Sequence, residues 1–192
     1  ANDLDVTLND DLTVRLESGS AVSTLAIAGN LSGTNKSLVK ESASLTLSLS
    51  GNNTYTGSTT LSGGVLRLDS TTALGGGNLV LTGGGVLGLG AGNFSRSDGS
   101  GTGQAQWAGN GGFAAFGADR SVNLGTMSWA STSLAGKTLI LGHETADATL
   151  TWSSNLSFAG GSRTIQVDDG SSDIDAVISG ALLGGGNFNK SG

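Results

Sequence analysis

Apolar residues fall at alternate positions in short runs along most of the chain, the period of a strand with one buried face. The runs cover 5–8, 12–16, 23–27, 45–49, 65–68, 79–81, 86–89, 122–124, 138–141, 148–152, 163–167 and 175–178. Gly-Gly, Asn-Gly, Ser-Gly and Asp-Gly pairs punctuate them, marking tight turns or positive φ. No long 3.6-residue apolar period occurs, and Gly, Ser, Thr and Asn are poor helix formers. The pattern predicts an all-β chain. Short, closely spaced strands suit a sandwich, a barrel or a solenoid.

Internal repetition selects the solenoid. Residues 12–33 lie over 163–184 without a gap, setting Thr13 on Thr164, Gly19 on Gly170, Ser20 on Ser171, Ile27 on Ile178 and Gly33 on Gly184. The echo continues, one residue out of step, to Lys40 and Lys190. A unit of about 150 residues (Leu12 to Arg163 is 151) therefore completes and begins again. Inside it, residues 75–90 beat as strand, glycine turn and strand. Nested long and short periods are the mark of stacked coils.

Residues 45–90 carry a resemblance. Leu47, Leu49, Ser50-Gly51, Asn53-Thr54-Tyr55-Thr56-Gly57, Thr59-Thr60, Gly63-Gly64, Leu66, Leu68 and Ala73-Leu74-Gly75 resemble the autotransporter-associated β-strand repeat of bacterial passenger regions. Residues 112–125 and 163–170 are similar to the spacers between such repeats. The resemblance implies a single right-handed parallel β-helix over residues 1–192, bacterial, secreted or displayed at the cell surface. Coils of about 20–25 residues would stack into about eight or nine rungs, a rod about 40 Å long at the usual strand spacing. Inward Leu, Val and Ile would form ladders, Gly63-Gly64 a bend, and Asn53 to Gly57 a corner.

Composition narrows the function classes. The 192 residues include 34 Gly, no Pro and no Cys, with 12% charged residues and a net charge of −6. Nine scattered Lys and Arg make no basic stripe for nucleic acid. No apolar run reaches the roughly 20 residues of a membrane helix. Absence of Cys fits export through an oxidising compartment, and Ala1 followed by polar residues resembles the remnant of signal cleavage.

Candidate chemistry is thin. His143-Glu144, with Asp147 nearby, could act as an acid/base pair, but a polar turn after 139–141 is the preferred reading. Asp168, Asp169, Asp173 and Asp175 form the densest carboxylate group and are the candidate Ca²⁺ ligands, although a solvated acidic turn accounts for them more simply. Asp3, Asp5, Asp10 and Asp11 are read the same way, and Asp119-Arg120 as a turn ion pair. Trp107, Trp129 and Trp152 would stack on glycans if exposed; burial, with Phe113, Phe116 and Phe158, is the better reading in this Gly/Ala context. Thr54, Thr56, Thr59 and Thr60 would make an ice-binding-type array only if repeated on every rung, which they are not. Gly99 to Gly103 lack the Lys of a phosphate loop. No catalytic residue or cofactor is assigned. The expected function is a non-enzymatic structural or adhesive module, with other copies or neighbouring solenoid segments as end-to-end partners. Surface glycans, or carbohydrate-active chemistry, form the alternative.

Overall fold

The chain winds as a parallel β-solenoid. A computed structural model describes residues 4–17 and 23–192, so Asp3, Gly19 and Ser20 lie outside the described residues. No helix occurs among those described, and every strand pairing is parallel. One side of the rod is an eight-stranded sheet, from Thr24–Ile27 through Thr46–Leu49, Val65–Leu68, Gly85–Leu89, Gly111–Ala115, Leu139–Gly142 and Arg163–Asp168 to Phe188–Ser191. Eight stacked strands make eight rungs, within the eight or nine expected, and the seven steps between them set a rod of about 34 Å at ~4.8 Å per step.

A five-stranded sheet, Leu12–Val14 to Ala105–Trp107, and a two-stranded one, Val6–Thr7 with Leu31–Ser32, form the other sides of the early coils. Later coils replace them with a four-stranded sheet, Phe94–Ser95 to Ala176–Ile178, and a three-stranded one, Thr126–Ser128 to Leu182–Leu183. Coil length changes with this exchange. Thr46 pairs with Val65, nineteen residues on, whereas Gly111 pairs with Leu139, twenty-eight on.

Inward positions stack into ladders because parallel register places like parity over like parity. In the long sheet one column runs Leu25, Leu47, Leu66, Leu87, Phe113, Leu141 and Val167. Each fully buried leucine contributes about 1.5–3 kcal/mol of transfer free energy. The outer face of this sheet holds a second, smaller core of Val65, Val86, Ala114, Phe116, Ile140 and Ala146. Phe116 folds back over Gly88, where a Cβ would strike the ring, and the Arg67 guanidinium lies 5.2 Å from the ring centre.

Gly63 and Gly64 make the expected bend, with φ of 150° and 58°. Asn53 to Gly57 does not make a corner. Residues 53–56 run along the coil's third side, alternately buried and exposed, and bond to the coil below through Thr54 N to Leu31 O and Thr56 N to Gly33 O. The echoed segments also occupy different sides. Leu12–Val14 belongs to the five-stranded sheet and its counterpart Arg163–Asp168 to the eight-stranded one. Leu38–Lys40 and Phe188–Ser191 differ in the same sense, each echo standing one side further along the coil path.

Close stacking makes neighbouring glycines unequal. A Cβ on Gly77 would collide with the Gly57 carbonyl of the coil below, while one on Gly76 meets nothing within 4 Å. Gly77→Ala should therefore lower stability by about 1–3 kcal/mol, and Gly76→Ala should be neutral or raise it by up to ~1 kcal/mol. Urea unfolding of the two variants checks the contrast; equal midpoints would refute the close approach.

Candidate functional site

The acidic and amide side chains singled out by sequence meet backbone N–H groups rather than one another. At the corners of the solenoid, a side-chain oxygen on one coil accepts the main-chain N–H of an adjacent coil. Asp5 takes Asn30 N at 2.8 Å, Asn30 takes Asn52 N at 2.6 Å, and Asp11 takes Ser37 N at 2.8 Å. Farther along, Asp119 takes Thr149 N at 2.9 Å and Asp147 takes Gly117 N at 2.6 Å. Buried Asn53 spans three coils, accepting from Leu31 N and donating to Ala73 O. These residues are structural acceptors at the coil-to-coil joints. Asp10 is instead exposed, 3.8 Å from Lys36 Nζ.

His143 and its neighbours do not assemble as an acid/base pair. The imidazole Nδ1 accepts from Thr145 N at 3.2 Å and lies 2.8 Å from Thr145 Oγ1, while Glu144 is exposed and Asp147 is committed to Gly117. Burial lowers the His143 pKa, against the pull of Glu144 and Asp168. The four carboxylates proposed for Ca²⁺ also diverge. Asp168 accepts from Gln166 Nε2 at 2.7 Å, Asp175 closes its own loop on Gly170 N at 2.8 Å, and Asp169 and Asp173 are exposed. Among the described residues no three His, Asp or Glu side chains are grouped to hold a metal ion. His143 and Asp168 do share one wall of a shallow groove of about 430 Å³, with Gly83, Gly84, Asn110 and Ile140.

The aromatic residues fill the interior. Trp107, Trp129 and Trp152 are 2%, 1% and 0% exposed, so no ring face of the three is open to a glycan. Trp107 packs edge-on against Phe113 and Trp152 at 6.1 and 6.3 Å between ring centres, and Phe94 stands 5.0 Å from Phe113. Trp107 Nε1 donates to Gly111 O at 2.8 Å and Trp129 Nε1 to Lys137 O at 3.1 Å. The threonines divide as well. Thr54 and Thr56 face outward, and Thr59 is buried 2.8 Å from the Tyr55 hydroxyl.

Lys40 is the interior group that the chemistry-led reading of the sequence passed over. It occupies the inward column Val14, Lys40, Leu61, Leu81 and Trp107 and is completely buried. Its Nζ donates to Ser42 O at 2.7 Å and to Gly63 O, on the coil above, at 2.5 Å. The available signal was parity: Lys40 shares the face of Leu38 in a two-residue period.

Comparison with known proteins bears on class. A family model, the passenger-associated-transport-repeat, matches residues 45–68, a stretch that spans one full coil from Thr46 to Val65. No curated protein and no solved structure matches the chain. The protein is thus a parallel β-solenoid that carries a passenger-type repeat.

Burial holds the Lys40 ammonium down from its ordinary 10.5 to about 8. The folded state gives up this proton before the unfolded chain does, so stability rises with pH between those values. Relative to Lys40→Met, the wild-type chain should show constant stability below about pH 8, a gain from about pH 8 to 10.5, and a plateau above. Paired urea titrations across this range test the sign; parallel curves would refute a buried, titrating Lys40.

Proposed function

We propose that this chain is a structural segment of a bacterial passenger, secreted or displayed at the surface, in which further β-coils cover both ends of the rod. One observation carries the reading. The large apolar side chains left exposed among the described residues, Leu4 and Leu25 at one end and Ile174, Val177, Leu182, Leu183 and Phe188 at the other, all belong to the outermost coils. Along the sides, by contrast, the apolar surface is enclosed. Solenoid ends with apolar faces need either a polar cap or another coil, and their open strand edges offer ready hydrogen-bonding groups for one.

The mechanism is mechanical. A continuous parallel sheet distributes load over ladder hydrogen bonds and core columns while presenting a low-charge exterior. The passenger-repeat match supports export. The interior position of the three tryptophans leaves the glycan-binding alternative without an observation in its favour.

Antibodies against the chain should label intact producing cells or the culture medium, and negative-stain images of the native material should show unbranched rods longer than the ~34 Å of this segment. Labelling only after permeabilisation, or particles no longer than the segment, would overturn the proposal.

A further inference from the structure

Two lysines are matched in the sequence echo and in inward parity, although Lys40 stands in the five-stranded sheet inside the rod and Lys190 in the eight-stranded sheet on the outermost coil. Lys40 stands in an inward column, and its Nζ bonds first to the carbonyl two residues on, Ser42 O. Lys190 is the register partner of Ile165, itself paired with Leu139, so it too stands in an inward column. Its Nζ reaches along its own strand to Gly192 O at 2.7 Å. Phe188 matches Leu38 in the same way, two residues earlier on the same face, and stacks on Phe158 at 6.3 Å with the rings 4° from parallel. Lys40 makes a second bond, to Gly63 O of the coil that covers it.

The covering coil is built for that lysine. Leu38 and Lys40 are overlaid by Thr59 and Leu61, and the chain then turns through Gly63 and Gly64. A Cβ at Gly64 would run into Lys40 Nζ, so a glycine corner is required for the ammonium to reach the carbonyl. Lysine below and Gly-Gly above are therefore one recognition unit.

We propose that the coil covering Phe188–Ser191 is a β-coil of the same kind as residues 43–69, with a Thr-x-Leu strand over Phe188 and Lys190 and a glycine corner whose carbonyl accepts from Lys190. The proposal rests on the reading that further coils cover the ends, and adds which coil. The echo sets Phe188–Ser191 as the counterpart of Leu38–Lys40, so the next coil in phase is the counterpart of 43–69. The first coils of a second copy offer counterparts of 163–178 instead, a whole coil out of phase. The partner is thus a repeat coil with a Gly-Gly corner and not the opposite end of an identical chain.

The test lengthens the full chain after Gly192 by a second copy of residues 43–69, which contains no lysine. Acetylation by an amine-reactive ester, read by mass spectrometry, reports each lysine separately. In the original chain Lys190 should react freely and Lys40 slowly. In the lengthened chain Lys190 should slow by at least about tenfold, since a buried amine reacts only through local opening. Gly64→Val in the added copy should restore its reactivity. A raised thermal midpoint with Lys190 still reactive would overturn the lysine unit but leave the covering coil standing. No change in midpoint or reactivity would overturn both. Protection of Lys190 in the original chain as its concentration rises would make the occupant a second copy and overturn the repeat coil as partner.

Discussion

A parallel solenoid depends on pairing the backbone groups where the chain turns between sheets. Along the strands the ladder satisfies each N–H, but at the corners the next coil's carbonyl is out of line; these exposed N–H groups could pair with water, and a fixed side-chain acceptor instead ties one coil to the next for about 0.5–1.5 kcal/mol net per bond. Here Asn and Asp side chains bridge the gap, each standing on one coil and accepting from its neighbour. Asp5, Asn30 and Asn52 hand the bond upward in sequence, and Asn93, Asn110 and Asn155 do the same for Ser121, Thr138 and Ala181. A carboxylate spent on a backbone amide is fixed in position. The same property makes it a poor candidate for chemistry that must exchange protons or ligands.

Interior volume imposes the second constraint. Where successive strands of the long sheet lie nineteen to twenty-two residues apart, leucine columns fill the coil. Where the spacing reaches twenty-eight, leucine is too small to span the wider section, and Phe113, Trp107, Trp152 and Trp129 take over. Close packing tolerates neither voids nor overlap, so coil length and filler must change together. The aromatic cluster in the second half of the sequence is the counterpart of the longer coils there.

That coupling explains what the sequence disclosed. Every apolar run became a strand: where one face is wet the polar partner makes alternation visible, as in Thr46–Leu49 and Leu150–Trp152, and where both faces are buried, as in Gly85–Leu89 and Leu139–Gly142, large aliphatic residues mark the strand instead. Gly111–Ala115 escaped notice because Phe116 and Ala146 cover its outer face, leaving small apolar residues on both sides and no polar beat. Thr59–Leu61 was obscured by a buried threonine whose polarity is satisfied by Tyr55. Asn53 to Gly57 looked like a corner since Asn and Gly favour turns, yet tertiary bonds from two coils hold it extended. The candidate sites failed for a different reason. Residue type names a possible chemistry, whereas convergence depends on which coil each residue occupies, and only the coil lengths determine that.

The polar residues inside the rod address a weakness of the leucine ladder. A one-residue slip between coils turns apolar side chains outward and is strongly penalised. A two-residue slip keeps parity and sets leucine on leucine again, so a uniform ladder barely opposes it. Lys40 and Asn53 break that degeneracy, because their bonds cross between coils. Each finds a partner at one position of a neighbouring coil. Displaced by two residues, the buried Lys40 ammonium would keep Ser42 O but lose Gly63 O, a cost of roughly 1.5–3 kcal/mol for a hydrogen bond from a charged group. The leucines supply cohesion without address, and these few polar groups supply the address.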